Sequence, residues 1–354
     1  MINLKYLVVL LFTGLLISCS SDDTDITDST DDMDTIDTTD DTSSTDDDSS
    51  ESTDYIIQES LLNSASLISF EIVTSQLENG TTADCYKIVF SSNPDNIAKG
   101  PFCPETADDI AGMSFYDGAT DPGLRVWEKA LLDDIENDGY DIVDDDGTVH
   151  VDDFSGSTSG NPDTYSYCLD GLDDDSIEIT FLIPVNPVIA DQVNDIGEIE
   201  LVGLSVDGIP INGDPPSAIN GPAMFNNGNS GTITVVNIPS LDPCGGHNDP
   251  AGYYHWHMIP EVINQVLVAN DIDQIECTNV EQTTDMVLSG FAKDGFPIYA
   301  YATEPDGLDD CGGITAVTSE YPDGIYHYVA STTTASNIPK CLVGVAALNS
   351  YVAN

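Results

Sequence analysis

Residues 241–257 read LDPCGGHNDPAGYYHWH and residues 308–328 read LDDCGGITAVTSEYPDGIYHY; each follows a GxxxDGxPI stretch, Gly203–Ile211 and Gly290–Ile298. The chain therefore repeats itself, with repeat units at about 203–257 and 290–329. Four of its five histidines, His247, His255, His257 and His327, fall inside the two copies. In Tyr254-His255-Trp256-His257 the two-residue side-chain period of a strand sends both imidazoles to one face and both aromatics to the other. His247 precedes across a Gly, Asn, Asp, Pro, Ala, Gly turn that can fold back beside that strand and supply a third nitrogen. His327 stands where His255 does, and packing of the copies about a pseudo-twofold axis would let it complete the same site. The same alternation of histidine and aromatic residues also suits an ordinary half-buried strand.

Neutral imidazoles without an obvious carboxylate or thiolate suit copper or zinc, and the ligand type argues against calcium or magnesium. Asp207 and Asp294 precede a glycine in the DGxPI stretches and read first as turn formers. With Asp249 they are also candidates for orienting a histidine or for acid–base work. The runs Asp141–Asp146 and Asp170–Asp175 lack the alternate-residue ligand pattern and closing Glu of a calcium loop, and read as solvated turns.

Around the cassettes, Ile177–Ile183, Ile199–Val206, Thr232–Ile238 and Met286–Phe291 are short β-branched runs bounded by Gly, Pro, Asn and Asp, which is the pattern of strands joined by turns. Gly123–Asp138, with Leu124, Trp127, Leu131, Leu132 and Ile135, has the spacing of a helix, and Pro260–Asn270 that of a second short one. The expected class is mainly β, sandwich-like or barrel-like, internally duplicated, with few short helices and stabilised by disulfides. Residues 55–354 form this β-rich domain, long enough for a sizeable core.

Ahead of it, residues 1–18 read as a lipoprotein signal peptide: Lys5 precedes a short apolar run, and Leu16-Ile17-Ser18-Cys19 has the lipobox pattern that makes Cys19 the lipidated amino terminus. Residues 19–54 read as a disordered stalk, since 32 of the 35 residues from Ser20 to Asp54 are acidic or hydroxyl-bearing. Its opening Ser20-Ser21-Asp22-Asp23 resembles the surface-export signal of Bacteroidota lipoproteins, so the expected location is the outer face of the outer membrane, with membrane contact through the lipid anchor alone. Seven Lys plus Arg against 63 acids give a net charge of −56, which excludes nucleic acid as a partner. With Cys19 consumed, an exported chain is expected to pair most of its remaining cysteines. The repeat suggests Cys244 with Cys277 and Cys311 with Cys341, a third bridge between two of Cys85, Cys103 and Cys168, and one thiol left over.

The ordered series Gly100-Pro101-Phe102-Cys103-Pro104, Asp138-Gly139-Tyr140, Ile179-Thr180-Phe181-Leu182-Ile183-Pro184, CGGH ending at His247, YHWH at 254–257, DGFPIY at 294–299 and Cys341-Leu342-Val343-Gly344 resembles the YHYH-domain proteins, named for a Tyr-His-Tyr-His motif. The likeness runs from Cys85 to Gly344 and implies an exported bacterial protein presumed to bind metal. In the second copy Ile314 stands where the family pattern has a histidine and Val329 replaces the last one, so the metal site is expected in the first copy. Three functions stay open: a surface copper- or zinc-binding protein, a metal-dependent hydrolase or copper oxidoreductase, and an adhesive or glycan-binding module with structural histidines. No nucleophile elbow, phosphate loop or dinucleotide fingerprint is present.

Overall fold

A computed structural model of the chain describes residues 56–92, 97–153, 165–215, 219 and 236–354. Residues 1–18 and 19–54, expected to be signal peptide and stalk, with Cys19 among them, and Thr232–Val235 lie outside the described residues. Strands β1 (Leu67–Gln76) and β2 (Thr82–Ser91) make a long antiparallel hairpin. β3 (Met113–Tyr116) and β4 (Gly123–Val126) make another that leads into helix α1 (Lys129–Asn137). β5 (Val151–Asp152), β6 (Tyr167–Leu169), β7 (Glu178–Pro184) and β8 (Ile189–Asp195) follow. The first cassette supplies β9 (Leu201–Ser205), β10 (Pro210–Asn212), β11 (Asn237–Pro239), β12 (Gly246–Asn248) and β13 (Tyr254–Trp256), then a 3-10 turn and helix α2 (Ile263–Ala269). The second supplies β14 (Met286–Ala292), β15 (Pro297–Tyr301), β16 (Gly313–Ala316) and β17 (Ile325–Ala330), and β18 (Cys341–Gly344) and β19 (Tyr351–Ala353) end the chain.

The duplication is the architecture. One eight-stranded sheet runs β12-β13-β10-β9-β14-β15-β17-β16, four strands from each copy. Within each half the pairings are antiparallel, parallel and antiparallel in the same order. The halves meet where β9 and β14 pair antiparallel: Gly203 faces Ala292, Leu204 faces Phe291 and Ser205 faces Gly290. Counted from the first glycine of each GxxxDGxPI, these pairs are first with third, second with second and third with first, so a local twofold passes through Leu204 and Phe291. Two backbone bonds obey the same symmetry, Lys293 N–H to the Val202 carbonyl and Val206 N–H to the Ser289 carbonyl. The motif glycines make this close approach possible: a Cβ on Gly203 would lie 2.1 Å from the Phe291 carbonyl oxygen, and one on Gly290 2.1 Å from that of Leu204. The following Asp-Gly pairs turn each hairpin, with Gly208 at φ 84° and Gly295 at φ 97°.

Leu204, Phe291 and Tyr299 of this sheet share an apolar layer with Tyr86, Ile88, Phe90, Phe181 and Ile183 of the four-stranded sheet β1-β2-β7-β19. A second layer joins Ile211, Tyr254, Trp256, Ile298 and Tyr328 to Ile263, Val266 and Leu267 of α2. The class is mainly β, as the sequence implied, but among the described residues β12 and β16 end the large sheet without closing on each other, so the sandwich-like alternative holds and the barrel-like one does not.

Gly123–Asp138 is not one helix. Residues 123–126 pair as β4 with β3, Met113 against Val126, and the helix starts at Lys129; its buried face is Leu131, Leu132 and Ile135. Asp170 also departs from a solvated turn, being 7% exposed and accepting the Phe102 N–H.

The disulfides are Cys244–Cys277, Cys311–Cys341 and Cys103–Cys168. Cys85 is the leftover thiol, buried beside Leu77, Val345 and Ala347, where desolvation raises its pKa; it is packing rather than a ligand. Cys244–Cys277 spans 33 residues and pins the start of β12 beyond the end of α2. Replacing both with serine is expected to lower stability by about 3–4 kcal/mol in denaturant unfolding, from the loop-closure entropy returned to the unfolded chain.

Candidate metal centre

β12 and β13 form a hairpin whose register sets His247 directly opposite His255. Asp249 shapes its turn: the Asp249 N–H donates to the Tyr253 carbonyl, the Gly252 N–H to the Asp249 carbonyl, and the Ala251 N–H to the Asp249 carboxylate. Tyr254 and Trp256 point into the core, 0% and 2% exposed. The Tyr254 hydroxyl donates to Asp242, whose carboxylate also accepts the Cys244 and Gly246 N–H groups and so ties the cysteine turn to the strand. With both aromatics anchored, His255 and His257 face the other way, and the three imidazoles are nearly sealed at 7%, 3% and 0% exposure for His247, His255 and His257.

Parallel pairing of Ile211 with Trp256 brings the end of β10 beside the end of β13, and there His257 Nδ1–H donates to the Gly213 carbonyl. A carbonyl can only accept, so Nδ1 carries the proton and Nε2 of the neutral ring is a bare lone pair. That Nε2 lies 3.2 Å from Nε2 of His247 and 3.0 Å from Nε2 of His255. The ligand atoms of all three lie within 4.8 Å of one another. Imidazole nitrogens each about 2.0–2.1 Å from one zinc ion, at angles from 90° to tetrahedral, stand about 2.9–3.4 Å apart. The two separations to His257 fall in that range and the third lies within 4.8 Å, so the donor set can close on one transition metal ion with a small approach of His247 to His255.

Burial holds the three imidazoles below their ordinary pKa, His257 at about 4, and the neighbouring rings lower His247 and His255 further. The trio is neutral at neutral pH and ready to donate lone pairs. Because the folded pKa values lie below the unfolded one, the unfolded chain takes up protons first, and the trio's contribution to stability is lost as pH falls below about 6.5. Asp170 and Asp242, pushed up to about 6 by burial, act in the opposite direction. The trio's share is therefore read by difference: between pH 7 and pH 5, metal-free wild type is expected to lose more stability than a His255→Ala, His257→Ala variant, by about 2 kcal/mol for each histidine removed, the slope reaching about 1.4 kcal/mol per pH unit only well below pH 6.5.

A cavity of about 180 Å³ lies against all three rings, with Asn212, Asp249 and Tyr253 among its walls. Asp249 therefore does belong to the site's surroundings. Its carboxyl is raised by burial and receives the Tyr253 hydroxyl, but it is not part of the close ligand group. Asp294 accepts from the Tyr328 hydroxyl and the Gly344 and Phe296 N–H groups, and Asp207 from the Asn63 amide; none of these partners is a histidine. Both are turn residues.

His327 does not complete the trio. The local twofold carries His255 onto His327, and five strand-to-strand steps of about 4.8 Å separate β13 from β17, about 24 Å in all. At the second position Ile314 opposes His327, and Tyr299, the register equivalent of Asn212, packs its ring 4.8 Å from the imidazole. His327 Nδ1–H donates to the Ile325 carbonyl, so its Nε2 accepts the Tyr301 hydroxyl at 2.8 Å. The second cradle has become a tyrosine-filled core. Reading the sequence missed Gly213 and Asn212, which follow the DGxPI motif directly; only the β10–β13 pairing shows that they reach the histidines.

Residues 180–307 and 300–344 match the family model described as YHYH protein. A search of curated proteins finds no match, and neither does a search of solved structures. The family match takes in both cassettes, the histidine trio and the strand pair on the twofold, and over this span the chain is a YHYH-domain protein.

Proposed function

We propose that this protein binds one copper or zinc ion through His247, His255 and His257, and does so as a lipoprotein anchored at Cys19 on the outer face of the outer membrane. The observation that carries the metal reading is the convergence of three buried Nε2 atoms, one of them fixed as a bare lone pair by the Gly213 carbonyl. The three buried, neutral imidazoles converge with no carboxylate in the ligand group among the described residues, and a divalent cation is the partner that accepts three converging lone pairs.

The chain's own part is positional. Gly213 fixes the tautomer and plane of His257, the β12–β13 register fixes His247 against His255, and Asp242 with Tyr254 braces the hairpin from beneath. A bound ion would supply Lewis acidity, or redox chemistry if copper. The lipobox at Cys19 and the acidic tract support the placement, with the tract acting as a spacer between lipid and domain.

Calorimetric titration of the metal-free full chain with Zn²⁺ and with Cu²⁺ tests the binding: one saturable site per chain is expected, and no saturable site would overturn it. Incorporation of labelled palmitate, lost on Cys19→Ser, tests the anchor. Label retained after Cys19→Ser would contradict it.

A further inference from the structure

We infer that the cavity against the histidine trio is a binding site for a small uncharged molecule bearing an N–H or O–H group; this rests on the metal reading above. The ligand group contains three imidazoles and, among the described residues, no fourth His, Cys, Asp or Glu. Structural zinc sites close with four protein ligands, whereas sites with three leave a position for an exogenous one. Here the space for it exists: the cavity touches all three rings and measures about 180 Å³. That is room for about six waters, or a molecule of about five or six non-hydrogen atoms.

The walls select the chemistry. Leu169, Ile199 and Pro239 give an apolar side, and Asn212, Asp249 and Tyr253 a polar one. Among the described residues no Lys or Arg lines the cavity, so a phosphate or carboxylate finds no cationic partner there and meets the Asp249 carboxyl instead. A neutral molecule with a hydrogen to donate gains Asp249 as acceptor and buries its carbon skeleton against the apolar wall. In the second copy Tyr299 and Tyr301 pack around His327 where the first copy has this space. The opening belongs to the copy that kept its three histidines.

Cobalt provides the readout. The metal-free full chain is loaded with Co²⁺, its cobalt content measured, and the visible absorption followed while imidazole, neutral above about pH 8, or acetate is added. Ile199→Trp serves as the comparison: Ile199 is 40% exposed, so a larger ring there narrows the cavity without touching the trio. Expected are one cobalt per chain, a saturable spectral change with imidazole, at least about tenfold weaker binding of acetate, and at least about tenfold weaker imidazole binding in Ile199→Trp at unchanged cobalt content. One cobalt per chain with no saturable change overturns the inference and leaves the metal reading standing, as does equal imidazole affinity in the two proteins. Absence of bound cobalt removes the metal reading and this inference with it.

Discussion

Replacing His255 and His257 together by alanine is expected to reduce zinc or copper affinity by more than about 100-fold, since losing a group that merely orients a ligand already costs 10–100-fold and here two ligating nitrogens go. The effect should also appear in stability. A metal that binds only the folded chain adds about 4 kcal/mol when present at 1,000 times its Kd, which raises Tm by on the order of 10 °C. Wild type should show that rise on adding metal and the double variant none. His327→Ala is the control, because His327 lies at the far end of the sheet and makes its bonds to Tyr301 and Ile325. It should leave metal affinity unchanged. Equal loss in His327→Ala and the double variant would mean that the site is not the trio.

Large stability effects are expected at Gly203 and Gly290. An added methyl group would collide with a backbone carbonyl at 2.1 Å in either case, and backbone in the centre of a sheet cannot give way as a flexible side-chain end can. Gly203→Ala and Gly290→Ala should each cost more than about 4 kcal/mol in urea unfolding. Because the two glycines are related by the local twofold, their costs should be similar. Gly307→Ala sets the scale: Gly307 has φ 88° with nothing within 4 Å of a Cβ, so its cost is that of the backbone conformation alone, about 1 kcal/mol. A loss below about 1 kcal/mol at Gly203 would contradict the close crossing of β9 and β14.

What the sequence made legible follows from which interactions are local. His255 and His257 share a face because of strand period, His247 joins them through a short turn, and two disulfides follow from repetition; each of these depends on neighbours in the chain. The family likeness rests on the same local stretches. Long-range pairing was not legible. The β9–β14 contact sets a twofold that sends His327 away from His255, although the two residues are equivalent in sequence. Gly213 reaches His257 only through the parallel β10–β13 pairing across 44 residues. Leu124 and Trp127 sit at helical spacing from Leu131, yet residues 123–126 pair with β3, so the periodicity crosses a boundary between two elements.

The duplication builds two equivalent cradles, and substitution decides their contents: Asn212, His247 and His257 in the first stand against Tyr299, Ile314 and Val329 in the second. In the second, apolar and aromatic side chains take the volume and leave His327 as a hydrogen-bonded core residue.

X-ray absorption at the zinc or copper edge of the metal-loaded full chain addresses the trio most directly. Three imidazole nitrogens at about 2.0–2.1 Å are expected in the first coordination sphere, completed by a light atom and without sulfur. A spectrum with fewer than two imidazoles, or one dominated by carboxylate oxygen or by sulfur, would place the ion elsewhere and contradict the account.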